Sequence, residues 1–230
     1  MADVRPAPAP SDPTARDRPV RALLAVAAAV AVVTLGLVLR FGLVPPPELD
    51  AVDATTRPTR SLALLSFREA ADGRCLDVVA PDGSVREVRC GLDGTTLAGW
   101  DERGVLLLRF GPTGTRLTAV DPADGTTREL PDVDAGTLPD GRGWVDSERD
   151  GATLIVRDAD GTVLWRVDAP DNYRVTAVAT DPASGTVALL DAAGRVLVLP
   201  AGASAPSVWV ADVDNDVAEL VWEGTPVAGD

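Results

Sequence analysis

The chain contains no histidine, and all 21 of its basic residues are arginine. The first absence excludes a histidine general base, a Ser-His-Asp triad and imidazole metal ligands. The missing lysine excludes Schiff-base chemistry and the phosphate-binding lysine of a P-loop. Cysteine is scarce: the two present do not make a zinc or dithiol redox motif. Aromatic residues are 4% of the chain, so aliphatic side chains must fill any core. Positive charge is short beyond residue 44, where 32 acidic residues face 16 arginines. Such a surface repels phosphate backbones and anionic headgroups, so nucleic acid is not an expected partner. With no recognisable catalytic motif, the chain is expected not to be an enzyme. The catalytic alternative left is a carbohydrate-acting enzyme using paired carboxylates.

One long apolar run is present. Ala22 to Leu39 carries no charge over eighteen residues and lies between Arg21 and Arg40. As a helix it would span about 27 Å, close to a hydrocarbon core of about 30 Å. Arg40 can snorkel and let Phe41 to Val44 extend the stretch, and Pro45, Pro46 and Pro47 then end it. Residues 21–44 are therefore expected to be a signal-anchor helix in the lipid bilayer. The rival is a cleaved signal peptide, whose apolar region is normally shorter and closely followed by a cleavage site. Arg5, Arg16, Arg18 and Arg21 precede the run, which favours a cytoplasmic N-terminus and an extracytoplasmic remainder at the cell membrane. Ala25, Ala29 and Gly36 lie near one helix face, so self-association of the anchor is open.

Residues 1–20 are rich in proline, alanine and charge and read as a disordered cytoplasmic tail. Residues 45–60 read as a Pro-rich linker. Residues 61–226 remain for one extracytoplasmic domain with a single core. The lysine-free, Ala- and Arg-rich composition suggests a high-GC bacterial genome, an inference from codon bias.

That domain repeats one pattern, a short run of Val, Leu and Thr followed by a turn of Asp, Pro, Ser and Gly. Turns of this kind include Asp121-Pro122-Ala123-Asp124-Gly125, Asp181-Pro182-Ala183-Ser184-Gly185 and Asp191-Ala192-Ala193-Gly194. Glycine supplies positive φ and Asp bonds its own backbone, so each is a hairpin signal with a mechanism. The pattern predicts about fifteen strands at roughly eleven-residue spacing. Gly99-Trp100-Asp101 and the strand after it parallel Gly143-Trp144-Val145 and its strand. Trp100 to Trp144 is 44 residues, as is Trp165 to Trp209. Four-stranded propeller blades recur at about 40–45 residues. In these features most of residues 61–223 resembles the β-propeller repeat proteins of the WD40 and quinoprotein-like kind. Trp100-Asp101 is the only Trp-Asp dipeptide, and about fifteen strands make just under four blades. The resemblance implies an all-β fold of about four propeller-like antiparallel blades after one N-terminal transmembrane helix. The ring could be closed, open, or completed by a partner chain, and a β-sandwich is the alternative.

Cys75 and Cys90 flank Pro81-Asp82-Gly83-Ser84 symmetrically. A four-residue loop there would set them opposite each other at a non-hydrogen-bonded pair, where Cα atoms approach to about 4.5 Å. A Cys75–Cys90 disulfide is predicted, which fits an oxidising compartment. Two free packed thiols are the alternative. Farther on, Asp212, Asp214 and Asp216 alternate as in calcium loops, with Glu223 at the twelfth position. These are the candidate Ca2+ ligands. The departure is Val217 where such loops place glycine, and a solvated acidic turn is the competing reading. Propellers commonly present rims and loops to partners, so the expected function is non-catalytic binding or scaffolding of an envelope protein. A calcium-dependent sensor module is the alternative.

Overall fold

The computed structural model describes residues 46–68, 73–111, 114–130, 146–157, 161–213 and 217–226. The expected tail and anchor, residues 1–44, lie outside them. So do Trp144, Asp214 and Asp216.

Fifteen antiparallel strands and no helix make up the described residues. They form four sheets in chain order. The first contains β1 (Leu62–Arg68), β2 (Gly73–Val79) and β3 (Val85–Arg89). The second contains β4 (Thr95–Asp101), β5 (Gly104–Gly111), β6 (Gly114–Val120) and β7 (Thr127–Leu130). The third has β8 (Asp146–Asp150), β9 (Thr153–Arg157) and β10 (Val163–Asp168). The fourth has β11 (Val175–Thr180), β12 (Val187–Asp191), β13 (Val196–Leu199) and β14 (Ser207–Val210). The last strand, β15 (Val217–Trp222), starts no new sheet. It returns to the first, with Leu62 opposite Trp222 and Leu65 opposite Glu219.

The apolar runs follow from burial on two faces. In β1, Leu62 and Leu64 pack with β11–β14 residues such as Ala188 and Val196, while Ala63 and Leu65 pack with Leu97 and Leu107 of the second sheet. A third cluster joins Leu154 and Val156 of the third sheet to Val187 and Leu189 of the fourth. Ala98, Leu106, Leu108, Leu117 and Ala119 form a fourth cluster within the second sheet. A strand between two cores cannot alternate apolar and polar, which is why β12 and β13 are buried throughout. The outer strands β3 and β7 are instead exposed and charged.

Side chains lock β15 to its neighbours. Trp222 donates its indole N–H to the Ala179 carbonyl of β11 at 3.0 Å and stacks on Trp209 with centroids 5.6 Å apart. Just beyond β15, Gly224 N–H donates to Trp100 O at 2.8 Å, and Trp100 N–H donates to Thr225 O at 2.8 Å.

The disulfide between Cys75 and Cys90 is present, with Cα atoms 4.0 Å apart. The route to it differs from the expected four-residue loop. Ala80 N–H donates to Ser84 O and Gly83 N–H to Ala80 O, leaving a three-residue loop with Gly83 at φ 85°. That register alone would set Cys75 opposite Arg89. The pairing shifts between Asp77–Glu87 and Leu76–Arg89, and the bulge at Val88 brings Cys90 opposite Cys75.

Among the described residues Trp165 lies in the third strand of its sheet and Trp209 in the fourth of the next, while Trp144, the other partner in the repeat, lies outside them. One other expectation changes: residues 46–60, read as a linker, belong with the β-sheets in one compact unit. Val52 N–H donates to Val208 O, Val208 N–H donates to Asp50 O, and Ala51 bridges Val208 in parallel. Arg195 Nη1 reaches Pro47 O at 3.0 Å, while Leu49 and Val52 pack on the cores. This strap covers backbone groups that the β14 edge would otherwise expose.

Reducing the disulfide releases a loop of 15 residues' separation, which should cost about 3 kcal/mol of stability. Denaturant unfolding with and without reductant checks this; coincident curves would contradict it.

Candidate functional site

Of the candidate calcium ligands only Asp212 is described, and it is exposed just after β14. Glu223 is held elsewhere: its Oε2 accepts the Ser61 amide at 3.1 Å, at the entry to β1. Among the described residues, the one convergence of three ligand-type side chains is Cys75, Glu87 and Cys90, whose sulfurs are bonded to each other.

The candidate site is a cavity of about 140 Å³, lined by polar and apolar groups, between the strap and the β11–β12 hairpin. Arg57, Thr59 and Arg60 line one side, and Asp181, Ser184 and Trp222 the other. The hairpin builds its own carboxylate cradle. Asp181 Oδ1 accepts the Ala183 amide at 3.0 Å and Oδ2 accepts the Ser184 hydroxyl at 2.5 Å. Arg60 Nη1 lies 3.4 Å from Oδ1 and donates to Glu223 O at 3.0 Å. The strap is tied off by Asp53, whose Oδ1 accepts the amides and hydroxyls of Thr55 and Thr56. Those bonds, the Thr55 hydroxyl's first, hold its carboxyl at about 2. The Ser84 hydroxyl and amide, and more weakly Arg57, lower the Asp82 carboxyl too.

The sequence marks the 181–186 segment as a turn and nothing more. Asp121-Pro122-Ala123-Asp124-Gly125-Thr126 is nearly the same string and folds the same way, with Ala123 N–H on Asp121 Oδ1 and Gly125 N–H on Asp121 O. Yet Asp121 is exposed and Asp181 buried. The difference comes from which strands the turn joins, so no local signal marks Asp181.

The other buried and part-buried carboxylates are braces between elements. Glu219 on β15 accepts from Thr96 Oγ1 (2.7 Å) and Leu97 N (2.6 Å) of β4, and pairs with Arg74 of β2 at 3.0 Å. Arg68 pairs with Asp77 at 2.6 Å and with Glu87 at 2.5 Å, joining β1, β2 and β3. Asp191 Oδ1 accepts the amides of Ala193 and Arg195, while Oδ2 accepts Arg195 Nε and the Tyr173 hydroxyl at 3.0 Å. Sequence reasoning found the Asp191 turn but neither of the latter two partners. Burial, then the Asp191 charge, push the Tyr173 hydroxyl well above its ordinary value.

Chemically, the cavity offers one carboxylate, guanidinium groups and hydroxyls at a scale below the roughly 300–1,000 Å³ of drug-sized pockets. It suits hydrogen bonding to a small polar group. The chain matches no protein-family model and no curated protein.

Tyr173 is the one tyrosine of the chain, so tyrosinate absorbance reads it alone. Its folded pKa is raised, so the stability it contributes is complete below the ordinary value of 10.0 and declines as pH climbs beyond it. Tyrosinate should appear above pH 10 together with unfolding, and Tyr173→Phe should flatten the alkaline fall in stability. Ionisation near pH 10 in the folded protein would contradict this.

Proposed function

We propose that this chain is a membrane-anchored, non-catalytic module that binds an envelope protein through a four-bladed, propeller-like domain. In this reading residues 21–44 hold the chain in the bilayer with the N-terminus in the cytoplasm, and β15 closes the ring by completing the first blade. Four sheets in chain order, packing of the first sheet on both the second and the fourth, and the β15–β1 pairing support it.

The observation that carries a binding role is how the buried and part-buried carboxylates are engaged. Asp181, Asp191 and Glu219 each accept several hydrogen bonds from their own fold, and Asp77 is paired with Arg68. Such groups brace neighbouring elements. Large apolar side chains face solvent instead. Phe67 and Phe110, penultimate in β1 and β5, are 48% and 63% exposed. Exposed aromatics of this size are enriched where proteins dock.

Crosslinking the full-length chain in its native membrane, followed by mass spectrometry, tests this reading. A discrete envelope protein should be recovered, and the Phe67→Ser/Phe110→Ser variant should lose most of it. Recovery of the chain alone, or a partner indifferent to both substitutions, would contradict it.

A further inference from the structure

The outer edges of the four sheets are blunted in different ways. β3 carries Arg86, Glu87, Arg89 and the Val88 bulge, and its arginines reach the carbonyls of Pro122 and Gly125. β7 is four residues long, with Thr127, Arg128 and Glu129 exposed. The strap covers β14. Short edges, charge, bulges and cover are the usual defences against strand pairing between molecules. The third sheet ends at β10, and among the described residues no strand lies beyond it. β10 reads Val163-Leu164-Trp165-Arg166-Val167-Asp168, apolar at four of six positions, with a bulge at Leu164 and its only charges, Arg166 and Asp168, exposed at the regular end of the strand.

The ladder fixes which backbone groups face the open side. Ala169 N–H donates to Ala152 O at 3.0 Å, beside the Asp168–Thr153 pair. Hydrogen-bonded pairs alternate along an antiparallel ladder, so Val167 bonds inward to Leu154. Arg166 and Asp168 therefore direct their N–H and C=O groups away from β9. Both side chains are exposed.

We propose that β10 is an interface for a second copy of this chain, joined edge to edge as an antiparallel ladder with its two-fold axis at Val167. Charge selects this register. Only residues with outward backbone groups can exchange hydrogen bonds. A ladder centred on Arg166 sets that arginine against itself, and one centred on Asp168 sets two carboxylates together. Centring on Val167 places Arg166 opposite Asp168 of the second copy, and Asp168 opposite its Arg166. Opposite charges at facing positions stabilise a strand pair and like charges destabilise it. The contact is isologous, so it closes as a dimer and does not propagate.

The test is light scattering of the full-length chain in detergent over a range of concentrations. The wild type should form a concentration-dependent dimer. Arg166→Asp and Asp168→Arg should each weaken it about tenfold or more. The double exchange Arg166→Asp/Asp168→Arg should restore it, because the facing pairs regain opposite charge. Both sites are exposed, and Asp168→Arg gives up one hydrogen bond from Thr153 Oγ1; circular dichroism confirms that each variant folds. A monomeric wild type would overturn the proposal. So would a dimer indifferent to the single exchanges, which would place the contact elsewhere, or single-exchange losses that the double exchange fails to restore.

Discussion

The pairing of the last strand with the first is the contact on which the other sheets depend. Leu62 faces Trp222 across a ladder joining residues 160 apart in the chain. Without β15 the edge of β1 would be open, and the two cores on either side of β1 would each lose a wall. Leu220 and Trp222 sit in one of those cores and Val221 in the other. Loop-closure entropy for such a contact grows only slowly with length, while the area it covers is large. That balance favours pairing of the first strand with the last one described.

Polar side chains extend the same logic. Glu219 reaches from β15 to β4, and the Trp222 indole reaches from β15 to β11. One strand thus makes backbone bonds within its sheet and side-chain bonds to the sheets on both sides. The strap, the Asp181 hairpin and Arg60 add a further set around the start of β1. Each buried carboxylate has at least one partner from another element, Arg60 for Asp181, Tyr173 for Asp191 and Arg68 for Asp77, so removing that partner would weaken the compensation of a charge in a dry site, the costlier kind of loss.

The strand pattern was legible because Gly and Asp mark the turns and Val and Leu fill the runs. Positions such as Val105–Leu108 and Val196–Leu199 fall inside observed strands. The cysteine pairing was legible from symmetry about Pro81–Ser84, but not its route. A shorter loop and the Val88 bulge offset each other by one residue, and neither has a distinct sequence mark. The strap was read as a linker because its prolines and threonines lack a strand pattern; its order comes from the β14 edge and Arg195, distant in sequence. Asp181 and Asp121 share a motif and differ in burial, which only the assembled sheets decide.

Native-state hydrogen exchange resolved to peptides tests the closure most directly. If β15 holds the fold shut, its amides should exchange only with global unfolding, as slowly as those of β1 and β5. Exchange of β15 by local fraying, orders of magnitude faster than β1 and with the remaining sheets still protected, would contradict the account.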